Sequence, residues 1–288
     1  MRDGASLITD IYFPDAESAC PVLLLRTPYG EDLPYGYEAV TNEGYVLIRQ
    51  NVRGRNGSEG EFDMLAGLRE DGEDTIAWIR NQTWCNGNIG LMGMSFVGAT
   101  QWASLVDNPE GVVTAMPTVT GGLSDGLGFY CFGVVQLDTL LMWSNFLVGD
   151  ECLEQSDAVE DSKLIQVATA RKELFQLAAE IAIEPTEERL AAMRESELAF
   201  KTATEAFLAQ PLREAAQEVA KYSPWVQKWL DNLEDPDADY WRRSDWMDNL
   251  DGIDIPMLHV VGWHDLLFEA ACERSPKFQS SKIVRSRS

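Results

Sequence analysis

The sequence predicts an α/β fold, in which a mostly parallel β-sheet with crossover helices is interrupted by an all-helical insertion. Short apolar runs alternate with helical patterns over residues 1–120, which is typical of parallel strands joined by helices. Strand-like runs then vanish, and one returns at 255–265. We therefore divide the chain into a first core part (1–123), a helical insertion (124–245), a second core part (246–273) and a basic tail (274–288).

The first core part contains five predicted strands and one well-marked helix. The helix is predicted over 69–81, between the third and fourth strands, and Ile76 and Ile79 lie on one of its faces. Its first turn is acidic, which complements the positive end of the helix dipole. The strands are the apolar runs at 6–13, 21–26, 45–50, 88–92 and 112–116, and the acids are Glu70, Asp71, Glu73 and Asp74.

The insertion and the tail differ in composition from the core. Stretches rich in Ala, Glu, Leu and Lys predict helices over 162–183 and 187–208, with Thr186 as the N-cap of the second. Their amphipathic stripes are most simply core-facing helix surfaces. The tail carries five basic residues and no acid, which predicts a disordered segment.

The acidic balance of the chain excludes several classes of function. There are 47 Asp and Glu against 23 Lys and Arg, and the net charge of −24 argues against nucleic acid or an anionic membrane as a partner. No run of 18 apolar residues and no apolar signal region is present, so we expect a cytoplasmic protein. Five widely spaced cysteines without a C-x-x-C pair predict free thiols. Without a metal-ligand cluster or phosphate loop in the sequence, we expect no cofactor and no metal.

Residues 88–98, NIGLMGMSFVG, predict a catalytic turn. An apolar strand ends at Ser95, which glycines flank, and a helical pattern follows over 99–105. Strand, sharp turn at a serine and helix form the geometry of a nucleophile elbow, which holds the serine hydroxyl above the sheet on strained backbone. We predict Ser95 as a nucleophile, although a Gly-x-Ser pattern also occurs in ordinary turns.

A nucleophilic serine needs a base, an orienting acid and an oxyanion hole. In α/β-hydrolases the acid and the base follow the serine along the chain, and Asp265 suits the acid because it ends the last apolar run. Its alternative role is the N-cap of a following helix. The oxyanion hole would combine the N–H of Phe96, the residue after the nucleophile, with the Tyr29 hydroxyl from the loop at 26–30. By itself, that loop is only a turn.

An ordered series of motifs carries a resemblance to a known family. The series runs NVRG at 51–54, SEGEF at 58–62, DGEDTIAWI at 71–79, WCNGNIG at 84–90 and GMSFVG at 93–98. Further matches are MRDG at 1–4, RTPY at 26–29, PDADYW at 236–241 and GWHD at 262–265. To about residue 270, the chain resembles the cocaine esterase / X-Pro dipeptidyl-peptidase (CocE/NonD-type) branch of the α/β-hydrolases.

The resemblance implies an α/β-hydrolase core with a helical cap and a Ser-Asp-His acyl hydrolase site. It assigns Ser95 as nucleophile, Asp265 as orienting acid, and the Tyr29 hydroxyl with the Phe96 N–H as the oxyanion hole. Phe96 stands in place of the tyrosine usual in the family. Asn51 stands where the family usually has aspartate before Arg-Gly, which puts an ion pair there in doubt.

Two features depart from that family pattern. Family members carry a C-terminal β-sandwich, and their catalytic histidine lies about one helix and one strand beyond the acid. No histidine follows His264 and nothing here forms a β-sandwich, so we expect a chain truncated before both, with the C-terminal part of the core missing. As a strand neighbour of Asp265, His264 would point to the opposite face of the sheet. His259 lies inside the strand and is expected to be packed there.

The sequence therefore predicts a serine acyl hydrolase that acts on a small ester, an amide or a short peptide. Two alternatives stay open: an inactive fragment or pseudoenzyme without the triad histidine, and a hydrolase with a relocated base. An ester, an Xaa-Pro peptide, a β-lactam acyl group and an amino-acid ester remain candidate substrates. Trp143, early in the insertion, is the candidate for an acyl pocket. Missing strands would leave a sheet edge uncovered, so we expect self-association into homo-oligomers.

Overall fold

The computed structural model divides the chain into two compact units. The sheet unit comprises Met1–Val134 and Pro236–Ser288, and the helical unit comprises Val135–Asp235. The helical unit lies within the insertion predicted over 124–245. The residues that the structure describes are 1–30, 37–64, 66–120, 130–131, 134–135, 137–154, 162–232, 235, 238–240, 253–265 and 282–286.

Seven strands form the main sheet. They are β1 (Thr9–Tyr12), β2 (Cys20–Thr27), β3 (Val46–Asn51), β4 (Cys85–Met94), β5 (Val112–Thr118), β8 (Leu258–Gly262) and β9 (Lys282–Ser286). Their spatial order is β1-β3-β2-β4-β5-β8-β9, and a separate pair joins β6 (Tyr130–Cys131) to β7 (Val134–Val135). Only β1 runs antiparallel to its neighbour in the main sheet. This mostly parallel sheet confirms the predicted α/β class.

Strand β3 shows how the sheet combines a core with a polar edge. All six of its residues are buried, apolar in the first half and polar in the second. A parallel strand covered on both faces has a continuous buried run instead of an alternating one. In the polar half, the Gln50 side-chain carbonyl accepts hydrogen bonds from Arg26 Nε at 3.0 Å and from Thr75 Oγ1 at 2.9 Å. The buried side chains of Gln50, Arg26 and Thr75 are therefore joined by hydrogen bonds near the carboxyl ends of the strands.

The helices of the sheet unit are α1 (Tyr37–Asn42), α2 (Leu68–Arg80) and α3 (Phe96–Leu105). Ile76 and Ile79 of α2 are both buried, as their shared face indicates. In the acidic first turn of α2, Asp71 is only 1% exposed and forms an ion pair with Arg53 at 2.6 Å. Asp71 therefore interacts with the Arg53 guanidinium as well as with the positive end of the α2 dipole.

The helical unit contains α4 (Leu137–Glu154), α5 (Lys163–Ile183), α6 (Glu187–Leu208), α7 (Leu212–Ala220) and α8 (Pro224–Asn232). Thr186 is the N-cap of α6, as predicted, because its Oγ1 accepts the Arg189 N–H at 3.2 Å. Fully buried Leu164, Phe207 and Trp229 belong to the apolar core of this unit. Over the described ranges, every helix is too short or too polar to span a membrane.

Residues 282–286 differ from the disordered tail that the composition predicts over 274–288. They form β9, which pairs in parallel with β8 from Leu258↔Lys282 to Gly262↔Ser286. Backbone pairing does not require acidic or apolar composition, and Ile283 and Val284 have high β-propensity. As a consequence β8 has a neighbour on each side, and the uncovered edge that the sequence predicts is not at β8.

Candidate active site

Ser95 lies in a sharp turn between β4 and α3. Its φ of 56° and ψ of −128° fall in a region that non-glycine residues rarely occupy, and such strain costs about 1–3 kcal/mol. Its N–H donates to the carbonyls of Thr118 at 3.0 Å and Val119 at 3.1 Å, which ties the turn to the end of β5. The strand, strained turn and helix predicted around Ser95 are all present.

Two glycines allow the strand and the helix to meet at this turn. A Cβ at Gly93 would lie 2.2 Å from Val97 Cγ1, and a Cβ at Gly98 would lie 2.5 Å from Thr120 Cγ2. Gly93 also has a φ of 138°, which L side chains rarely adopt. The G-x-S-x-x-G spacing is thus required by sterics on both sides of the serine.

Phe96 begins α3 and carries a fully buried side chain. The first N–H groups of an α-helix have no acceptor inside the helix, so the Phe96 N–H lies at the positive end of the α3 dipole. The centroid of its ring lies 5.9 Å from that of Phe62. Packing of the two rings anchors the residue that carries this backbone donor.

Tyr29 follows β2, which is hydrogen-bonded in parallel to β4. Its N–H donates to Thr27 Oγ1 at 3.1 Å, a local bond that closes the turn. The half-buried Tyr29 side chain packs against an apolar cluster formed by Leu25, Leu47 and Val97. Val97 is the second residue of α3, so this cluster joins the Tyr29 loop to the helix that begins at the elbow.

Side chains from β3 and from the loop after it hold the carbonyl groups on both sides of Tyr29. The Pro28 carbonyl accepts from Arg55 Nε at 3.2 Å and from Asn56 Nδ2 at 3.0 Å. The Gly30 carbonyl accepts from Arg49 Nη1 at 3.1 Å. Three side-chain donors therefore fix the backbone of the loop that presents the tyrosine.

Asp265 lies three residues beyond the end of β8. Its N–H donates to the Gly262 carbonyl at 3.2 Å, which closes a turn after the strand. Strand β8 is parallel to β5, which is parallel to β4. The carboxyl ends of parallel strands meet at one edge of a sheet, so Ser95, Tyr29 and Asp265 all follow strands that end at this edge.

The two histidines lie in different surroundings. His259 is a 5% exposed residue of β8, and its ring centroid lies 5.4 Å from that of Trp102 in α3. Burial lowers the pKa of His259 to about 4. His264 is exposed, and it lies with Asp265 in the turn after β8, not in the strand. The sequence predicted that His264 and Asp265 point to opposite faces of a strand. This prediction is wrong in its premise, because β8 ends at Gly262 and neither residue lies in the strand.

Trp143 belongs to an aromatic group inside the helical unit. It lies in α4, with its ring centroid 5.5 Å from that of Trp225, which is in turn 6.5 Å from that of Trp229. Its role in an acyl pocket stays a prediction.

Arg55 and Asn56 are site residues that sequence reasoning did not single out. They occupy the gap between the NVRG and SEGEF motifs, where nothing in the local pattern shows that their side chains reach Pro28. Asn51 carries no charge and so cannot form an ion pair: its Nδ2 donates to the Asn56 carbonyl at 3.0 Å, and Arg53 pairs with Asp71 and Asp3. Within the described part of the chain, no three His, Cys, Asp or Glu side chains form a group that could hold a metal ion.

Comparison with known proteins places this chain in a family. A family model described as X-Pro dipeptidyl-peptidase (S15 family) matches residues 3–275. The cocaine esterase of Rhodococcus sp. (strain MB1 Bresler) is 30% identical over an alignment of 277 positions, which covers 92% of this chain and 42% of that protein.

Solved structures show a similar fold. An aminopeptidase from the marine sediment archaeon Thaumarchaeota archaeon has a TM-score of 0.59 at 18% identity, and an α-amino acid ester hydrolase has 0.58 at 20%. Each covers 99% of this chain, which corresponds to 46% of the solved chain, so the chain spans less than half the length of these relatives. On the family match and the identity to the esterase, the chain belongs to the X-Pro dipeptidyl-peptidase (S15) family, as its motifs predicted.

Proposed function

We propose that this chain carries the nucleophile, the oxyanion hole and the orienting acid of a serine acyl hydrolase. The strained backbone of Ser95, in a turn between a parallel strand and a helix, is the observation that carries the proposal. Two further candidate groups follow strands that end at the same edge, Tyr29 after β2 and Asp265 after β8. The names of the relatives, an esterase, an aminopeptidase and an amino acid ester hydrolase, support the same class of reaction.

The reaction would be acyl transfer to water. Ser95 Oγ attacks the carbonyl carbon of an ester or amide, and a base takes its proton. The resulting oxyanion accepts hydrogen bonds from the Phe96 N–H and the Tyr29 hydroxyl; loss of one such donor costs about 10²–10³ in kcat. The leaving alcohol or amine takes a proton, and water then releases the acyl group from Ser95. Asp265 would orient an imidazole base and stabilise its charged form.

His259 does not suit the role of that base, and the described contacts do not join His264 to Ser95. His259 packs against Trp102, six residues after the start of α3, and burial lowers the pKa of His259 to about 4, so it binds a proton poorly near neutral pH. His264 is exposed and lies next to Asp265 in one turn. These placements favour the alternative in which the 288 residues alone bind acyl substrates at Ser95 without efficient turnover.

The test is covalent labelling of Ser95 with a fluorophosphonate, in which Oγ bonds to phosphorus and fluoride leaves. We expect slow, stoichiometric labelling of the wild-type chain, since the oxyanion hole acts on the phosphoryl oxygen even without an efficient base. Mass spectrometry should place the adduct on Ser95. Labelling should vanish in Ser95→Ala and persist in Ser18→Ala, which removes an exposed hydroxyl elsewhere in the sheet unit.

Two outcomes would contradict these assignments. Equal labelling of the wild type and Ser95→Ala would remove Ser95 as the nucleophile. Rapid hydrolysis of p-nitrophenyl acetate, lost both in Ser95→Ala and in His264→Ala, would instead assign the base to His264. If turnover is only trace and His264→Ala leaves it unchanged, the site lacks its base within these residues.

A further inference from the structure

We propose that Arg55 is a positioning residue that holds both donors of the oxyanion hole in their relative places. The inference rests on the proposed function, because it concerns the geometry of the Tyr29 hydroxyl and the Phe96 N–H. Arg55 would contact neither the substrate nor the reacting atoms. It acts on one donor through a backbone carbonyl and on the other through an aromatic ring.

The loop that carries Arg55 runs beside the Tyr29 loop and is bonded to it. Strand β3 pairs in parallel with β2, and the pairing ends at Thr27↔Asn51. Directly after it, the Val52 N–H donates to the Thr27 carbonyl at 2.9 Å, and the Arg55 N–H donates to the Val52 carbonyl at 3.1 Å. The backbone of Arg55 is therefore fixed relative to the turn that presents Tyr29.

The first link runs from the Arg55 guanidinium to the Tyr29 backbone. Arg55 Nε donates to the Pro28 carbonyl at 3.2 Å, and that carbonyl belongs to the peptide bond that includes the Tyr29 nitrogen. Asn56 Nδ2 donates to the same oxygen at 3.0 Å. Rotation of this peptide unit would break both bonds, so the pair restrains the direction in which the tyrosine leaves the loop.

The second link runs from the same guanidinium towards the elbow. Arg55 Cζ lies 5.9 Å from the centroid of the Phe62 ring, within the range of a cation–π contact. The Phe62 ring packs in turn against Phe96 at 5.9 Å between centroids. Phe96 is fully buried and carries the second oxyanion donor. One 8% exposed side chain thus contacts both the Tyr29 loop and the ring that packs against Phe96.

A buried arginine with such contacts also has a purely structural use, and the helical unit provides a matched example. Arg171 is 5% exposed, donates through Nη1 to the Phe146 carbonyl, and lies 5.5 Å from the centroid of the Phe146 ring. Its contacts are of the same two kinds as those of Arg55. The difference is that the carbonyl and ring contacted by Arg55 belong to the Tyr29 loop and to the packing around Phe96.

The experiment compares the kinetics of fluorophosphonate labelling of Ser95 in Arg55→Met and Arg171→Met. For Arg55→Met we expect the maximal labelling rate to fall by about 10- to 100-fold with the half-saturating probe concentration nearly unchanged, because misplacement of about 1 Å costs up to about 10² in rate. Arg171→Met should label at the wild-type rate. Arg55→Lys keeps a cation but loses the planar fork, so it should fall between the wild type and Arg55→Met.

A second variant covers the case in which Arg55→Met does not fold. Asn56 has a φ of 47°, which glycine adopts without strain, so Asn56→Gly removes the amide donor to Pro28 and keeps the backbone. We expect a smaller drop in the maximal labelling rate, of about 3- to 10-fold. A wild-type labelling rate in Arg55→Met, or an equal loss in Arg171→Met, would overturn the proposal. If Arg55→Met does not fold, a wild-type labelling rate in Asn56→Gly would overturn it. Absence of labelling in the wild type would overturn the proposed function itself, and this inference with it.

Discussion

His259 is a buried ionisable residue of β8, the strand that precedes Asp265. It is 5% exposed, it packs against Trp102, and burial lowers its pKa to about 4 from an ordinary value of 6.5. The folded state therefore favours the neutral imidazole. Between pH 6.5 and 4 the unfolded chain binds a proton that the folded chain does not, so the free energy of unfolding must decrease as the pH falls through this window.

We predict that unfolding by urea requires about 3 kcal/mol less free energy near pH 4 than near pH 7 because of His259. In His259→Leu this part of the pH dependence should disappear, whereas His264→Leu, which changes the exposed histidine, should keep it. The carboxyl groups whose pKa values are lowered change the free energy of unfolding at a lower pH, below about pH 4. They are Asp74 beside Arg2, Asp107 beside Arg69 and Asp3 beside Arg53. The same slope in wild type and His259→Leu would refute the assignment.

At the scale of elements, α2 packs closely against α3, the helix that begins at the Ser95 turn. Gly72 lies inside α2, and a Cβ there would be 2.3 Å from Ser104 Oγ of α3 and 2.8 Å from Arg26 Nη1. Arg26 is buried, its Nη1 donates to the Leu68 carbonyl at 2.7 Å, and burial lowers its pKa to about 10. The Cβ of Ser104, which side-chain rotation cannot move away, would also lie only 3.0 Å from that Cβ. The two helices are therefore in contact through a position that only glycine fits.

We predict that Gly72→Ala destabilises the protein by about 1–3 kcal/mol, because overpacking forces Ser104 or Arg26 out of place. Alanine inside a helix is ordinarily more stable than glycine by about 1 kcal/mol, so the expected sign is opposite to that of helix propensity. The midpoint of urea unfolding measures it. A more stable Gly72→Ala variant would show that α2 and α3 are less closely packed than the structure indicates.

At the scale of the whole molecule, the charge balance is the dominant property. The sequence has 47 acidic and 23 basic residues, so even complete pairing would leave 24 acids without a basic partner. Exposed ion pairs such as Arg69–Asp107 stabilise little, typically 0–1 kcal/mol each. Repulsion among the excess acids opposes the compact state. Salt screens both the attraction within ion pairs and the repulsion among the excess acids, and the repulsion is the larger of the two.

We therefore predict that the melting temperature rises with salt, by about 5 °C or more between roughly 0.1 M and 1 M NaCl, as the Debye length falls from about 10 Å to about 3 Å. Calorimetry at neutral pH measures this shift. Sucrose at matched osmolality is the control, since it stabilises proteins without screening charge. A melting temperature that falls with salt would mean that ion pairs outweigh the repulsion.

Local patterns in the sequence were sufficient for the elements that lie close to the nucleophile in the chain. The turn at Ser95 follows from glycines within three residues, the cap at Thr186 from its own hydroxyl, and the buried face of α2 from the spacing of Ile76 and Ile79. In each case the deciding interactions join residues near one another in sequence. The family motifs predicted further parts of the chain in the same way, because each motif is also a local pattern of residues.

Only the tertiary structure decided the contacts between distant segments. Arg55 reaches Pro28 across 27 residues, and Trp102 meets His259 from another element, because strand order brings them together. Composition predicted disorder for residues that form β9. The reason is that hydrogen bonding between the backbones of β9 and β8 does not depend on the charge or polarity of the side chains. The sequence by itself determined the class of fold, the family and the turn at Ser95. The tertiary structure decided which side chains support that turn, because their energies depend on neighbours that the linear pattern does not contain.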